Sequence, residues 1–431
     1  MTVIASNTTL TAKDYPDFDQ TVGNAFASSY RDTVEKEDSN IQKIQGVAQG
    51  LYKIYETVVD DAAKGAPMTP QDSAAIANTV ANMTSSIGVE SAVHRVASLE
   101  SRFEQHIGLM LTQESLSETI KRTIKALLDA IVKLGKRIAD AIGKMWDRAE
   151  ANARVFKRMA NTMSRWKNLT EIPQFVKYKP AMAGILVDNQ IPSDLSVVVL
   201  RTLRACNDHS NIDTMVGVVE EMVKAIETGK VAKMSSEQVT AEINKLVKPL
   251  RLPAGLTKDG TVSDRERTVD YSDPLCGNTV AIAMNPKTNE DPISFVNYGA
   301  AIVPIEMAAE FGIKEKYRIE PADDVMVTLS IDDAMYQMAV TVQAVQNQAR
   351  VLQNANKRID GVQAKLAKLA SDYRVFERDT DTNDEAGETL VQFMGVARSI
   401  LSAALAAAKY NFEVSDRVGN GYIAVLNAFN S

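Results

Sequence analysis

The stretch SLSETIKRTIKALLDAIVKLGKRIADAIGKMWDRAEANARVFKRMANTMSRW, Ser115 to Trp166, decides how the rest of the chain is read. Ile120, Ile124, Leu127, Ile131, Leu134, Ile138, Ala141 and Met145 follow one another in steps of four and three residues. That is the rhythm of one apolar stripe along a long α-helix. The other face carries Lys121, Arg122, Lys125, Lys133, Lys136, Arg137, Lys144 and Arg148. Residues 115–168 hold thirteen Lys and Arg against five Asp and Glu, a local net of +8 in a chain whose total is −7.

On either side the charge reverses. Residues 1–114 contain eight basic and fifteen acidic side chains, net −7, and residues 169–431 contain twenty-seven and thirty-five, net −8. The chain therefore divides into an acidic helical leader (1–114), a basic amphipathic helix (115–168), a middle section (169–329) and a C-terminal helical part (330–431). Such asymmetry speaks to partners rather than to fold. At 431 residues, with 45% apolar and 24% charged side chains, the chain can bury a large core. Cys206 and Cys276 are the two cysteines, which does not suggest a disulfide-stapled scaffold, although one bridge stays open. The N-terminus lacks the pattern of a secretory signal, and no run of eighteen apolar residues occurs, so no stable membrane span and a cytoplasmic origin are expected.

The leader reads as irregular to about Asn40. A helix follows with Ile41, Ile44, Ala48, Leu51, Tyr55 and Val58 on one face, then Thr69–Pro70 as the cap and first turn of another, and helices over 71–86 and 90–111. Beyond Pro173 and Pro180 the texture changes to short apolar runs and turns. Leu195 to Leu203 fits strand or helix, Thr214 to Ile226 fits a helix, and Ser235, Ser236 and Glu237 open another. Lys258-Asp259-Gly260 reads as a turn in a loop-rich segment. Thr279–Pro286 and Asp324–Leu329 read as strands. From Ser330, with Asp333 completing a capping pattern, Ile359, Val362, Leu366, Leu369, Tyr373 and Phe376 mark a heptad-like seam. A polar turn, Glu377–Asp384, precedes a last helix carrying Leu390, Met394, Ala397, Leu401, Ala404, Ala408, Val418, Tyr422 and Val425, which Gly419-Asn420-Gly421 bends or breaks. The fold class is mainly α, with long antiparallel helices, the last two forming a hairpin, and a small α+β section in the middle. No internal repeat is evident.

Motifs for catalysis are missing. No HExxH, CxxC or phosphate-loop signature occurs, and Cys206 with His209 lacks the further ligands a metal needs. Asp323-Asp324 and Asp332-Asp333 fit a loop and a helix N-terminus better than an acid–base pair. No catalytic residue, cofactor or metal is assigned, and the chain is not expected to be an enzyme. Three readings of the basic helix remain: a solvated face of a bundle, a surface for polyanions that neutralises phosphates without reading bases, or a membrane-surface helix of a membrane-active, pore-forming-like effector. Aromatic residues join the basic ones only at Trp146 and Phe156, which does not suggest stacking on single strands.

The string ESLSETIKRTIKALLDAIVKLGKRIADAIGKMW (114–146) resembles the basic amphipathic helix of internal head proteins of large tailed bacteriophages, the jumbo myoviruses. The order of parts is similar too: acidic leader, Glu-Ser junction, basic helix, short α/β middle, long helices. The resemblance implies a virion structural protein in the capsid interior, synthesised in the bacterial host cytoplasm and packaged with the genome. Its partners would be packaged DNA, contacted non-specifically, other capsid-interior proteins and a head-maturation protease, with ejection alongside the DNA as a further step. Such a protease cuts after glutamate, with a small or aliphatic residue two positions earlier. Glu90, Glu100 and Glu114, each followed by serine, are the candidate cleavage points. Removing 1–114 would leave 115–431 at net zero, with forty basic and forty acidic side chains. The leader would then keep the precursor soluble and away from nucleic acid until it is cut.

Overall fold

The computed structural model describes residues 20–66, 68–93, 102–163, 174–177, 180–187, 190–192, 194–231, 234–287, 298–308, 311–313, 324–327, 331–371 and 385–429. Four long helices make its frame: α1 (Gln20–Ala63), α3 (Arg102–Met163), α8 (Ile331–Ser371) and α9 (Glu385–Phe429), with the short α2 (Pro70–Ser85) between the first two. The mainly helical class and the small mixed section in the middle are as the sequence indicates.

The helix boundaries differ from expectation in instructive places. The segment before Asn40 is helical from Gln20 onward, because Val22, Phe26, Tyr30 and Val34 recur every fourth residue within a polar background. The expected helices over 90–111 and 115–166 merge into the single α3, so the step in charge at 114/115 falls inside an unbroken helix of 62 residues. Such a helix is about 93 Å long. The Thr69 cap is as expected: its hydroxyl accepts from the Asp72 N–H at 3.1 Å, the Asp72 carboxylate accepts from the Thr69 N–H at 3.1 Å, and Pro70 occupies the first turn.

Contrary to the expectation of no internal repeat, helix α3 contains an 11-residue repeat. Starting at Glu118, Asp129, Asp140 and Ala151, corresponding positions are buried together. Thr119, Ala130, Ala141 and Asn152 form one row, Ile120, Ile131, Ile142 and Ala153 the next, and Thr123, Leu134, Met145 and Phe156 a third. Eleven residues make three turns at 3.67 per turn, so the buried face stays in line along the helix.

The middle section holds α4 (Leu195–Cys206), α5 (Ser210–Glu227) and α6 (Ser236–Leu246). An antiparallel meander follows, β2 (Lys258–Ser263), β3 (Arg267–Ser272), β4 (Thr279–Pro286) and β5 (Gly299–Pro304), before the short α7 (Ile305–Ala308). Lys258-Asp259-Gly260 is not a turn but a bulge at the start of β2, where the register with β3 shifts; the turn is Asp264–Glu266, where the Asp264 carboxylate accepts from the Glu266 and Arg267 N–H groups. Ser235 caps α6 through a capping box closed by Gln238 rather than Glu237. The section is fastened at its mouth by β1 (Gln174–Lys177) and β6 (Asp324–Val327), which pair antiparallel. That pair brings the end of α3 to the start of α8, so these two helices, which pack along each other, run antiparallel with the middle section as their connection.

The expected hairpin of the last two helices is largely replaced by this arrangement. Helix α8 packs chiefly on α3, while α9 meets the middle section, α3 and α1. Alanines on the seam do not choose between partners, and the β1–β6 pairing brings α8 back to the end of α3. The Ser330 cap, Tyr373, Phe376 and the Glu377–Asp384 connection lie outside the described residues. Gly419-Asn420-Gly421 does not break α9, which is continuous to Phe429. A Cβ on Gly419 would sit 2.5 Å from the Phe156 ring of α3, so this glycine is a packing notch. Gly184, in the 3₁₀ turn Pro180–Ile185, admits the Arg417 carbonyl of α9 in the same way.

In α9, Leu390–Val425 is long and apolar enough, by length and composition, to cross a bilayer, although it contains no unbroken run of eighteen apolar residues. Most of that stretch is buried inside the protein, where it forms the centre of the core.

Candidate functional site

The apolar stripe of α3 is buried throughout, from Ile120 to Met145, and what remains outside is a narrow strip. Exposed positions run Glu118, Arg122, Lys125, Asp129, Lys133, Lys136, Asp140, Lys144 and Asp147, again in steps of four and three. Between Glu118 and Arg158 this strip exposes eight basic and five acidic side chains. The acids fall four residues before a base at Glu118–Arg122, Asp129–Lys133 and Asp140–Lys144. That order favours ion pairs within one helix. Arg122 Nε donates to Glu118 at 3.1 Å, and Arg154 meets Glu150 at 3.5 Å. The 11-residue repeat thus sets both faces: core rows inside, alternating charge outside.

The eight predicted polyanion-contacting residues divide accordingly. Lys125, Lys133, Lys136 and Lys144 are exposed along the strip, with Arg122 beside Glu118 and also donating to the Glu90 carbonyl at 3.4 Å. Lys121, Arg137 and Arg148 stand half-buried at its edges. Arg148 is committed elsewhere. Its guanidinium donates to Asp416 of α9 at 2.7 Å and lies over the Phe412 ring, while Asn152 donates to the other Asp416 oxygen. Burial raises the Asp416 carboxyl above the usual carboxylate range, and Arg148, Asn152 and Arg417 offset this only in part. Its partner lies 268 residues away, beyond the reach of local spacing arguments.

The candidate cleavage points also stand apart. Glu90 is exposed in the non-helical segment that follows α2, Glu114 is exposed in the interior of α3, and Glu100 lies outside the described residues. A protease binds its substrate in extended form, and of the two described junctions only Glu90–Ser91 lies in a non-helical segment.

Elsewhere the ionisable groups serve packing. Arg358 of α8 donates to both Glu220 oxygens, at 3.2 and 2.8 Å, and to Asp213 at 2.8 Å, tying α8 to α5. His209 is buried, and neither ring nitrogen has a hydrogen-bond partner among the described residues. Burial lowers its pKa to about 4, against the opposing charges of Asp213 and Asp208. Cys206 and Cys276 are buried free thiols, both shifted upward by desolvation, Cys276 to about 12. Among the described residues no His, Cys, Asp and Glu group is arranged to hold a metal. A cavity of about 250 Å³ between α1, α2 and α3 is lined mostly by apolar side chains such as Ile54, Val58, Met68 and Leu109. Among the described residues, the strip on α3 is the feature suited to a partner.

Comparison with known proteins gives one result of wide coverage. A family model described as phiKZ-like phage internal head proteins matches residues 27–431. Neither the comparison with curated proteins nor that with solved structures finds a match.

Proposed function

The chain belongs to the phiKZ-like phage internal head proteins, and we propose that it is a structural component packed with the genome, which it touches through the exposed strip of α3. The family places it in the capsid interior and suggests a structural rather than an enzymatic role. The observation that carries the contact with DNA is the row Lys125, Lys133, Lys136 and Lys144, exposed on one line of a helix about 93 Å long. Five acids on the same strip keep the attraction modest and non-specific, as suits a protein that must share a crowded space with DNA.

In this reading the protein is made as a precursor, cut by a head-maturation protease after Glu90, Glu100 or Glu114, assembled with other capsid-interior proteins, and released with the DNA. Duplex DNA binding by the purified chain, measured from 50 to 200 mM salt, tests the contact. Affinity falls steeply with salt, and the Lys125→Glu, Lys133→Glu, Lys136→Glu variant loses it. Equal binding by that variant would overturn the role of the strip. Mass spectrometry of purified particles tests processing, and finding only the intact chain Met1–Ser431 there would overturn it.

A further inference from the structure

The acidic leader is not an appendage to the fold. Helix α1 lies along α3 and also reaches α9, and its Ile41, Ile44, Leu51 and Tyr52 belong to the same core as Leu127 and Leu401. Ten apolar side chains between Ile41 and Val80 are buried there. Gln45 covers Gly395 of α9, leaving no space for a Cβ at that glycine. Gly50 of α1 admits the end of Met83, so α2 folds back on α1. Two hydrogen bonds join the segment after α2 to α3: the Ala92 N–H donates to the Thr119 hydroxyl at 3.0 Å, and the Glu90 carbonyl accepts from Arg122.

We propose that a cut between α2 and α3 nicks this protein without releasing its leader: α1 and α2 stay clamped on α3 and α9 as a second, non-covalent chain. The biological setting rests on the proposed processing, but the physics rests on packing alone. Losing the leader would bare the faces of α3 and α9 that α1 covers, a long apolar surface in the middle of the core. Keeping it has an electrostatic consequence. The nicked protein retains the whole chain's net −7 instead of relaxing to the net −1 of residues 91–431 (forty-two basic, forty-three acidic side chains), so cutting alone does not convert an acidic protein into a nearly neutral one. What a cut changes is freedom at the Glu90 segment, next to Arg122 at one end of the basic strip.

The experiment introduces a recognition sequence for a site-specific protease in place of residues 86–91 of the full chain, so that its result does not depend on any phage enzyme. After complete cutting, confirmed by denaturing gel, the two fragments are expected to co-elute one-to-one at the mass of the intact protein, with helical circular dichroism unchanged. Leu51→Asp in the same background is expected to release the N-terminal fragment. Should the replacement disturb folding, the same sequence inserted at the Lys64–Gly65 turn asks the question of α1 alone. Separate elution of the N-terminal fragment, or precipitation of the remainder, overturns the proposal. Failure to find cleaved protein in particles would instead overturn the processing step and leave the clamp standing.

Discussion

Helices α3 and α9 are both long, yet their sequences solve opposite problems. Helix α3 buries rows of Ile, Leu and Thr and keeps one line of charge in water, so it shows a face to the outside. Helix α9 is buried on nearly all sides, with Val391, Phe393, Ile400, Leu405, Phe412 and Tyr422 all in the core. Charge draws attention to α3, but the element that touches most of the fold is α9. Amphipathicity marks a boundary, whereas the centre of a protein this size is apolar all round and silent in a charge map.

The largest effect should come from opening the centre. Phe393→Ala removes a fully buried ring from α9 and is expected to cost about 4 kcal/mol. Gly419→Val is a complementary insertion, since a Cβ there meets the Phe156 ring and the branched side chain adds more bulk. Denaturant unfolding measures both. If Phe393→Ala costs less than an alanine at an exposed position of α3, the contrast between the helices is wrong.

A second test uses acid. His209 is neutral in the fold, with its pKa lowered from 6.5 to about 4, chiefly by burial. As pH falls below 6.5 the unfolded chain takes up a proton that the folded chain refuses. The stability this residue contributes is therefore complete above pH 6.5 and lost between there and pH 4. A displacement of this size corresponds to a change on the order of 3 kcal/mol across that window. His209→Leu should flatten that part of the profile relative to the parent. Asp416, whose carboxyl is raised, changes stability in the opposite sense, so the difference between the two profiles is the quantity to compare.

How much of this was legible follows the same contrast. The stripe from Ile120 to Met145, the strand Thr279–Pro286 and the Thr69 cap are local patterns, and each stands where spacing put it. Pairings were not local. Nothing in the spacing of α8 says that it lies on α3, because an apolar stripe does not name its partner; β1 and β6, four residues each, join the two helix ends. The bulge at Lys258/Gly260 looked like a turn because Asp-Gly is a turn signal wherever strand pairing does not override it. Of the candidate site, the exposed lysines and the acids between them are readable from the spacing on one helix face, but the partner of Arg148 is not, since it lies 268 residues away.

That last distinction separates two kinds of cation on one helix. Arg148→Ala removes the partner of the buried Asp416 and is expected to cost about 2 kcal/mol, less than a bare buried charge would, because the carboxyl takes up a proton instead. It should leave DNA affinity nearly unchanged. Lys125→Ala should do the reverse. It is exposed, so its change in stability should stay within about 0.5 kcal/mol. If the strip meets DNA as proposed, the variant gives up one phosphate contact, which should reduce the salt slope of DNA binding by roughly one unit. Melting curves and a salt titration on the two variants give four numbers. If Arg148→Ala weakens DNA binding as much as Lys125→Ala does, the strip does not end where the structure draws its edge, and the interlocked cations of α3 belong to the contact after all.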